Sequence, residues 1–169
     1  MALCKVKTFR RGEGPSAVAA AAYRAGAIIT SEVEGTAYDY TAKSDVLHAE
    51  ILLPPNAPAA FLDRATLWNA VERAEQAPNA PLAWEITISL LAERSLPQLM
   101  QAVREYASRY FVARGLCADL CVHAGRRQNP HVHIMLTMRP FWGRETKYHK
   151  SKEIHHATNS NGRRANHQR

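Results

Sequence analysis

The sequence has few cysteines and no long hydrophobic stretch. Its three cysteines, Cys4, Cys117 and Cys121, all lie in apolar-rich segments of a 169-residue chain. An odd and small number in such surroundings indicates buried, reduced thiols and argues against a disulfide-stabilised secreted domain. No apolar run approaches the roughly 20 residues of a membrane span. The N-terminus also lacks the apolar core of a secretory signal, so we expect a cytoplasmic protein without membrane insertion.

Acidic residues are scarce near the C-terminus, and the charge is therefore uneven. The chain has 22 Lys and Arg against 15 Asp and Glu, a net charge of +7. Residues 142–169 contain seven basic and two acidic residues, whereas residues 1–141 contain 15 and 13. A basic tail suits nonspecific contacts with nucleic-acid phosphates, and it equally suits a solvated terminus. We expect one domain over residues 1–141 and a flexible, basic and polar tail over residues 142–169.

Hydrophobic periodicity predicts an α+β fold. An antiparallel sheet is expected, with helices covering one of its faces and the other face partly open. The first helix should begin at Ser16 and stop at Gly26, and the third should end at Gly115. The patterns predict strands over residues 3–9, 46–54, 82–91, 117–125 and 131–141, a hairpin over 27–40, and helices over 16–26, 59–76 and 96–116.

Three histidines lie around the last predicted hairpin. His131 and His133 are two residues apart, so a strand points both imidazoles to one face while Val132 points into the core. His123 ends the preceding strand, where it can lie opposite or diagonal to the other two in an antiparallel pair. The three side chains can then converge as a three-nitrogen metal site with open coordination positions. On spacing alone, ordinary surface or hydrogen-bonded histidines remain an equal alternative.

Four segments in a fixed order carry a family resemblance. "CVHAGRRQNPHVHIML" (121–136) resembles the metal-binding hairpin of MobA/MobL conjugative relaxases, and its "HVH" resembles the HUH motif of single-strand DNA endonucleases. "SAVAAAAYRAG" resembles the family's nucleophile helix, "DVLHAEILLP" its next strand, and "WEITISLL" a strand with an acidic residue near the site. The resemblance covers about residues 2–141. The tyrosine helix precedes the histidines, as in relaxases; rolling-circle initiators and related transposases have the reverse order.

The resemblance implies an HUH-endonuclease two-layer sandwich and a set of site residues. It makes Tyr23 the nucleophile and places the acidic residue Glu85 near the site. Strand alternation puts Glu85 on the polar side of its strand, where it could orient a metal-bound histidine or help to activate the tyrosine, and a solvent-facing glutamate remains the alternative. The family implies Mg²⁺ or Mn²⁺, although three imidazoles by themselves favour zinc, nickel or copper. The metal ligands that the resemblance implies are His123, His131 and His133.

Arginines next to these positions are candidates for contacts with DNA phosphates. Arg24 directly follows the tyrosine, and Arg126 and Arg127 lie in the loop of the histidine hairpin. Arginines of this kind fix the register of nucleic acid without reading its sequence. A plain solvated role remains the alternative for each of the three.

The activity implied by the resemblance is site-specific nicking and rejoining of one DNA strand. The strand would be cut at the transfer origin of a mobilisable plasmid, through a 5′-phosphotyrosine intermediate. The implied partners are single-stranded DNA at that origin, accessory relaxosome proteins and a type IV secretion coupling protein. Two alternatives remain open, namely a truncated relaxase remnant that binds DNA without nicking, and an unrelated three-histidine metal hydrolase.

Overall fold

A five-stranded antiparallel sheet forms the centre of the fold. The computed structural model describes residues 4–125 and 129–141. Strand order in the sheet is β1-β5-β7-β6-β4, while β2 and β3 form a separate hairpin. The strands are β1 Cys4–Arg10, β2 Ile28–Thr30, β3 Ala37–Asp39, β4 Val46–Leu52, β5 Pro81–Ser89, β6 Ala118–His123 and β7 His131–Thr137.

The first helix, α1 (Ala17–Ala25), has the ends that the sequence predicts. The Ser16 side chain accepts a hydrogen bond from the Ala19 N–H and so satisfies one of the free donors at the helix start. Gly26 follows the last turn with φ 60°, a left-handed conformation that favours glycine. The small alanine side chains let the helix pack closely, and residues 17–22 are all buried.

Two other helices are shorter than predicted. A 3₁₀ helix over Ala59–Leu62 precedes α2 (Arg64–Ala74), so the predicted single helix is divided. The division falls at Asp63, which has extended backbone and accepts a hydrogen bond from the Thr66 N–H, because an N-cap side chain begins a new helix there. The third helix, α3 (Leu96–Tyr110), ends before a 3₁₀ turn, and Gly115 ends that turn rather than α3 itself.

Helices cover both faces of the sheet, which corrects the expectation of one covered face. Helices α1 and α2 pack with Phe9, Ala83 and Met135 on one side. Helix α3 packs on the other side against alternate residues of the two central strands, such as Leu120 and Ile134. Every residue of β6 is buried, and a strand buried along both of its faces needs a layer on each. The α+β class and the antiparallel sheet are confirmed.

The register of the sheet fixes which side chains share the face under α1, here called the histidine face. Residues directly opposite one another in antiparallel strands point to the same side. Residues that lie opposite one another on neighbouring strands form rows across this face, and three of these rows contain the candidate site. They are Ser89–His131–His123–Val46, Lys5–Thr87–His133–Cys121–Ala49 and Lys7–Glu85–Met135–Asp119–Ile51.

Among residues 4–125 and 129–141, no helix combines the length and the apolar character of a membrane span.

Candidate active site

The three histidines converge at one end of the central hairpin, as their spacing predicts. His123 lies directly opposite His131, and His133 follows in the next row of the same face. Their ring centroids are 4.8 to 5.4 Å apart. One nitrogen of each ring lies within 4.8 Å of a nitrogen of the others, so the cluster can hold one metal ion. The geometry is confirmed, and metal binding itself stays a prediction.

Hydrogen bonds engage one nitrogen of each imidazole. His133 Nδ1 lies 2.8 Å from Glu85 Oε1, His131 Nδ1 lies 3.3 Å from the Asn129 carbonyl, and His123 Nε2 lies 2.6 Å from the Arg24 carbonyl. A second ring nitrogen of each histidine is left for coordination. Metal-binding histidines usually have this arrangement, because a fixed N–H orients the ring and sets its tautomer. The donor set therefore fits a divalent cation.

Burial of His123 favours the neutral form of its imidazole ring. Its side chain is almost fully buried, and this burial lowers the pKa of His123, although the hydrogen bond with the Arg24 carbonyl opposes the shift. A lower pKa favours the neutral ring, which is the form that binds a metal. Asp45 Oδ2 lies 3.8 Å from His123 Nδ1 and brings a carboxylate to the edge of the cluster.

A buried ion pair lies beneath His133. The Arg24 guanidinium forms two hydrogen bonds with the Glu85 carboxylate, one of them Arg24 Nη2 to Glu85 Oε2 at 2.8 Å. Burial raises the pKa of Glu85, but the hydrogen bonds with His133 and Arg24 outweigh it and lower that pKa to about 2. The carboxylate is therefore ionised near neutral pH and contacts His133, which fits the histidine-orienting role among the two predicted for Glu85.

Arg24 is placed differently from a surface arginine. It is only 9% exposed, and Glu85 holds its guanidinium. Its predicted contact with a DNA phosphate stays a prediction, and such a contact would have to compete with this ion pair. Arg126 and Arg127, the other two predicted DNA contacts, lie outside the described residues.

Tyr23 lies in the last turn of α1, one residue before Arg24. The ring is 47% exposed and packs edge-on against Tyr40, with 5.2 Å between ring centroids. The carbonyl oxygen of the next residue, Arg24, accepts a hydrogen bond from His123 Nε2. The helix that carries the tyrosine is thus tied directly to one of the three histidines.

Lys43 is a site residue that sequence reasoning missed. The Lys43 ammonium lies 3.8 Å from the centre of the Tyr23 ring, a cation–π distance, and 3.5 Å from Asp45 Oδ1. Lys43 belongs to the connection between β3 and β4, and no periodic pattern places such a connection. The Lys43 backbone N–H donates a hydrogen bond to the Tyr40 carbonyl, and the loop packs on the end of α1. These tertiary contacts bring Lys43 to the Tyr23 ring.

Gly125 shapes the turn beside the histidines. It has φ 67°, and a Cβ at this position would collide with the Asn129 carbonyl. The same carbonyl oxygen contacts His131 Nδ1. A glycine here therefore lets the loop backbone come close enough to orient His131.

The sequence model of the MobA/MobL family matches residues 15–169. This chain belongs to the MobA/MobL family. The match confirms the resemblance drawn from four segments, and it continues beyond residue 141, where we expected the resemblance to end. The division into a domain over residues 1–141 and a tail over 142–169 stays a prediction.

Relatives of this MobA/MobL protein include named conjugation proteins. It is 39% identical over 140 residues to conjugal transfer protein TraA of Rhizobium radiobacter, covering 77% of this chain and 13% of TraA. It is 42% identical over 120 residues to mobilization protein MobL of Acidithiobacillus ferridurans, covering 71% of this chain and 31% of MobL. The chain thus spans less than a third of either curated relative.

A solved structure has the same fold as this MobA/MobL protein. It is described as "Molecular Basis of Vancomycin Resistance Transfer in Staphylococcus aureus" and aligns with a TM-score of 0.77 at 33% sequence identity. The alignment covers 82% of this chain and 71% of the other. At this identity, the likeness supports common ancestry as well as a common fold.

Proposed function

We propose that this chain is the nicking and strand-transfer domain of a conjugative relaxase. The observation that carries the proposal is the double contact of Arg24, the residue after Tyr23. The Arg24 carbonyl is hydrogen-bonded to His123 Nε2, and the Arg24 guanidinium donates hydrogen bonds to the Glu85 carboxylate. The same carboxylate is hydrogen-bonded to His133 Nδ1. The nucleophile helix and the histidine cluster therefore form one connected unit, as a reaction between a tyrosine and a metal-bound phosphate requires.

The metal in this proposal is Mg²⁺ or Mn²⁺, held by His123, His131 and His133. A bound divalent ion would neutralise nonbridging oxygens of the scissile phosphate. Three imidazoles alone would favour zinc, nickel or copper, but a DNA phosphate and water add the oxygen ligands that harder cations prefer. Glu85 contacts His133 Nδ1, which would leave the other ring nitrogen of His133 to bind the ion.

The reacting group is the Tyr23 phenol. Its oxygen forms a bond to the scissile phosphorus, and the bond from phosphorus to the 3′ oxygen of the preceding nucleotide breaks. The phenol loses its proton, and the departing oxygen gains one to become a 3′-hydroxyl. The phosphodiester is exchanged rather than hydrolysed, so the reverse reaction rejoins the strand without ATP. Lys43, against the tyrosine ring, supplies positive charge where the phenol and the phosphate meet.

Covalent selection tests this function and identifies the nick site in the same experiment. The protein is incubated with Mn²⁺ and a 3′-labelled single-stranded oligonucleotide pool that has a randomised centre, because the tyrosine would retain the 3′ fragment. Relaxase chemistry predicts a protein–DNA adduct that survives boiling in detergent, and sequencing of the trapped DNA gives the preferred site. Mass spectrometry should then locate the adduct on Tyr23.

Two variants separate the alternatives. Tyr23→Phe removes the nucleophile, so we expect the adduct to disappear while DNA binding persists. His131→Ala removes one metal ligand, and we expect nicking to be lost while the fold, followed by circular dichroism, is retained. Cleavage without an adduct would instead support a metal hydrolase, and binding without cleavage under any metal would support a truncated remnant.

The wider setting is part of the same proposal. The substrate is single-stranded DNA at a transfer origin, with accessory relaxosome proteins and a type IV secretion coupling protein as further partners. The reaction would take place in the cytoplasm. The names of the relatives, conjugal transfer and mobilization proteins, support this setting.

A further inference from the structure

Two lysines of the edge strand β1 lie on the histidine face, beside the candidate metal centre. Lys5 is opposite Thr87, which is itself opposite His133 on β7. Thr87 Oγ1 lies 3.2 Å from His133 Nδ1, so one row joins the lysine to a candidate metal ligand. Neighbouring strands are about 4.8 Å apart, which puts the backbone of Lys5 roughly 10 Å from that of His133.

Lys7 lies in the next row, opposite Glu85. It does not neutralise this carboxylate, because Glu85 already pairs with Arg24. The Lys7 ammonium instead lies 4.3 Å from the centre of the Phe9 ring, on the same side of the strand. Phe9 is buried in the core under α1, and this contact directs Lys7 along the margin between the sheet and that helix.

Both lysines are exposed and carry unneutralised charge. Within residues 4–125 and 129–141, neither forms an ion pair with a carboxylate. The other basic residues around the site differ in this respect. Arg24 is held by Glu85, and Lys43 lies near Asp45. Lys5 and Lys7 are therefore exposed cations of the histidine face that have no carboxylate partner among the described residues.

We propose that Lys5 and Lys7 bind the sugar–phosphate backbone of single-stranded DNA where the strand leaves the metal centre across the β1 edge. Residues two apart in a strand are about 6.7 Å apart, so the two ammonium groups can contact different phosphates. Such contacts fix the position of the strand without reading its sequence. This inference rests on the proposed function for the nature of the ligand, and it assigns a DNA-binding role to an edge strand that carries no motif.

A second effect of edge lysines must be distinguished from this one. Lysines on an exposed edge discourage the addition of another strand and so limit aggregation. That effect needs charge at the edge but gives no preference for DNA. Only the binding role predicts that loss of the two charges changes DNA affinity.

The test measures DNA binding without cleavage. Fluorescence anisotropy follows binding of a labelled, mixed-sequence single-stranded oligonucleotide in EDTA, over a series of salt concentrations. Each phosphate contact contributes about 0.7 to the slope of log affinity against log salt for single strands. The double variant Lys5→Gln/Lys7→Gln should therefore have a slope about 1.4 smaller in magnitude, and Lys5→Arg/Lys7→Arg should restore it.

The matched control removes the same charge from the other side of the sheet. Arg109 and Arg114 are exposed at the end of α3 and in the turn that follows it, on the face opposite the histidines. Like the two lysines, neither forms an ion pair with a carboxylate among the described residues. The variant Arg109→Gln/Arg114→Gln should keep the wild-type slope. Thermal unfolding of both double variants checks that the fold is unchanged. Equal slopes for the wild type and the Lys5/Lys7 variant, or equal losses in both double variants, would overturn the proposal.

The outcome is separable from the proposed function. If the slope decreases as expected but the wild type forms no adduct with Mn²⁺, the DNA path stands and the nicking proposal fails. If the wild type forms the adduct and the slope is unchanged, nicking stands and the DNA path fails.

Discussion

At the scale of single residues, Arg24 connects more of the candidate site than any motif residue. Its carbonyl orients His123, and its guanidinium neutralises Glu85, the partner of His133. A buried carboxylate without its cation is costly, because burial favours the neutral form. Arg24 therefore maintains the ionised state of Glu85, and with it the orientation of a candidate metal ligand.

We predict that Arg24→Met weakens Mn²⁺ binding about 10- to 100-fold, the usual effect of losing an outer partner of a metal ligand. The measurement is isothermal titration calorimetry of the protein without DNA. Arg64→Met is the matched control, because Arg64 forms a similar pair with buried Asp119 on the same face but contacts none of the histidines. Both variants should lose on the order of 3 kcal/mol of stability, but only Arg24→Met should lose metal affinity. Equal metal affinity in the two variants would contradict the role of Arg24.

At the scale of elements, the end of α1 and the loop between β3 and β4 act together. Gly26 ends the helix in a left-handed conformation, and a Cβ there would lie 3.1 Å from Val46 Cγ2 and 3.6 Å from Lys43 Cβ. The small residue thus lets the loop that carries Lys43 pack against the helix that carries Tyr23. The positions of Tyr23 and Lys43 depend on this packing as much as on either element alone.

Replacing two glycines separates backbone strain from packing. Gly26→Ala should lower the free energy of unfolding by roughly 1–2 kcal/mol, because alanine disfavours the left-handed conformation. A further decrease is expected because the new Cβ must displace the Val46 side chain. Gly35→Ala has the same kind of conformation, φ 65°, but no atom within 4 Å of its Cβ, so only the strain applies. Urea denaturation measures both. If the two midpoints shift equally, the close packing of this loop contributes nothing to stability.

At the scale of the whole molecule, the two helical layers bury the strand β6 along both of its faces. Cys117 and Cys121 are 0% and 2% exposed, as the sequence predicts. The prediction of a buried thiol is wrong for Cys4, which is exposed because it lies on the edge strand β1. Burial raises the pKa of Cys117 to about 12 and that of Cys121 well above its ordinary value. Both thiols are therefore protected by exclusion of reagent and by suppression of the reactive thiolate.

Thiol reactivity reports on this closed interior. With Ellman's reagent at neutral pH, we expect one fast-reacting cysteine in the native protein and three in denaturant. Cys4→Ser should remove the fast phase. A second fast thiol in the native state would mean that α1 and α2 leave the sheet accessible and would contradict the double covering.

Local features of the sequence determined much of the fold and part of the site. Strand alternation alone placed His131 and His133 on one face, and the hairpin length brought His123 opposite His131. Ser16 and Gly26 marked both ends of α1. These features depend on residues close in the chain, where backbone period and capping leave few choices.

Contacts between distant segments decided the rest. The pairing of β1 with β5 placed Lys5 and Lys7 on the histidine face. The sequence of β1 alone does not indicate which strand pairs with it. From the sequence, Arg24 has no feature that distinguishes it from an exposed arginine. In the fold it neutralises the buried carboxylate of Glu85, which is 61 residues away in the chain. The sequence by itself determined which side chains share a strand face. The tertiary structure decided which faces are covered and which charges meet, because long-range burial and charge neutralisation are settled only when all elements pack together.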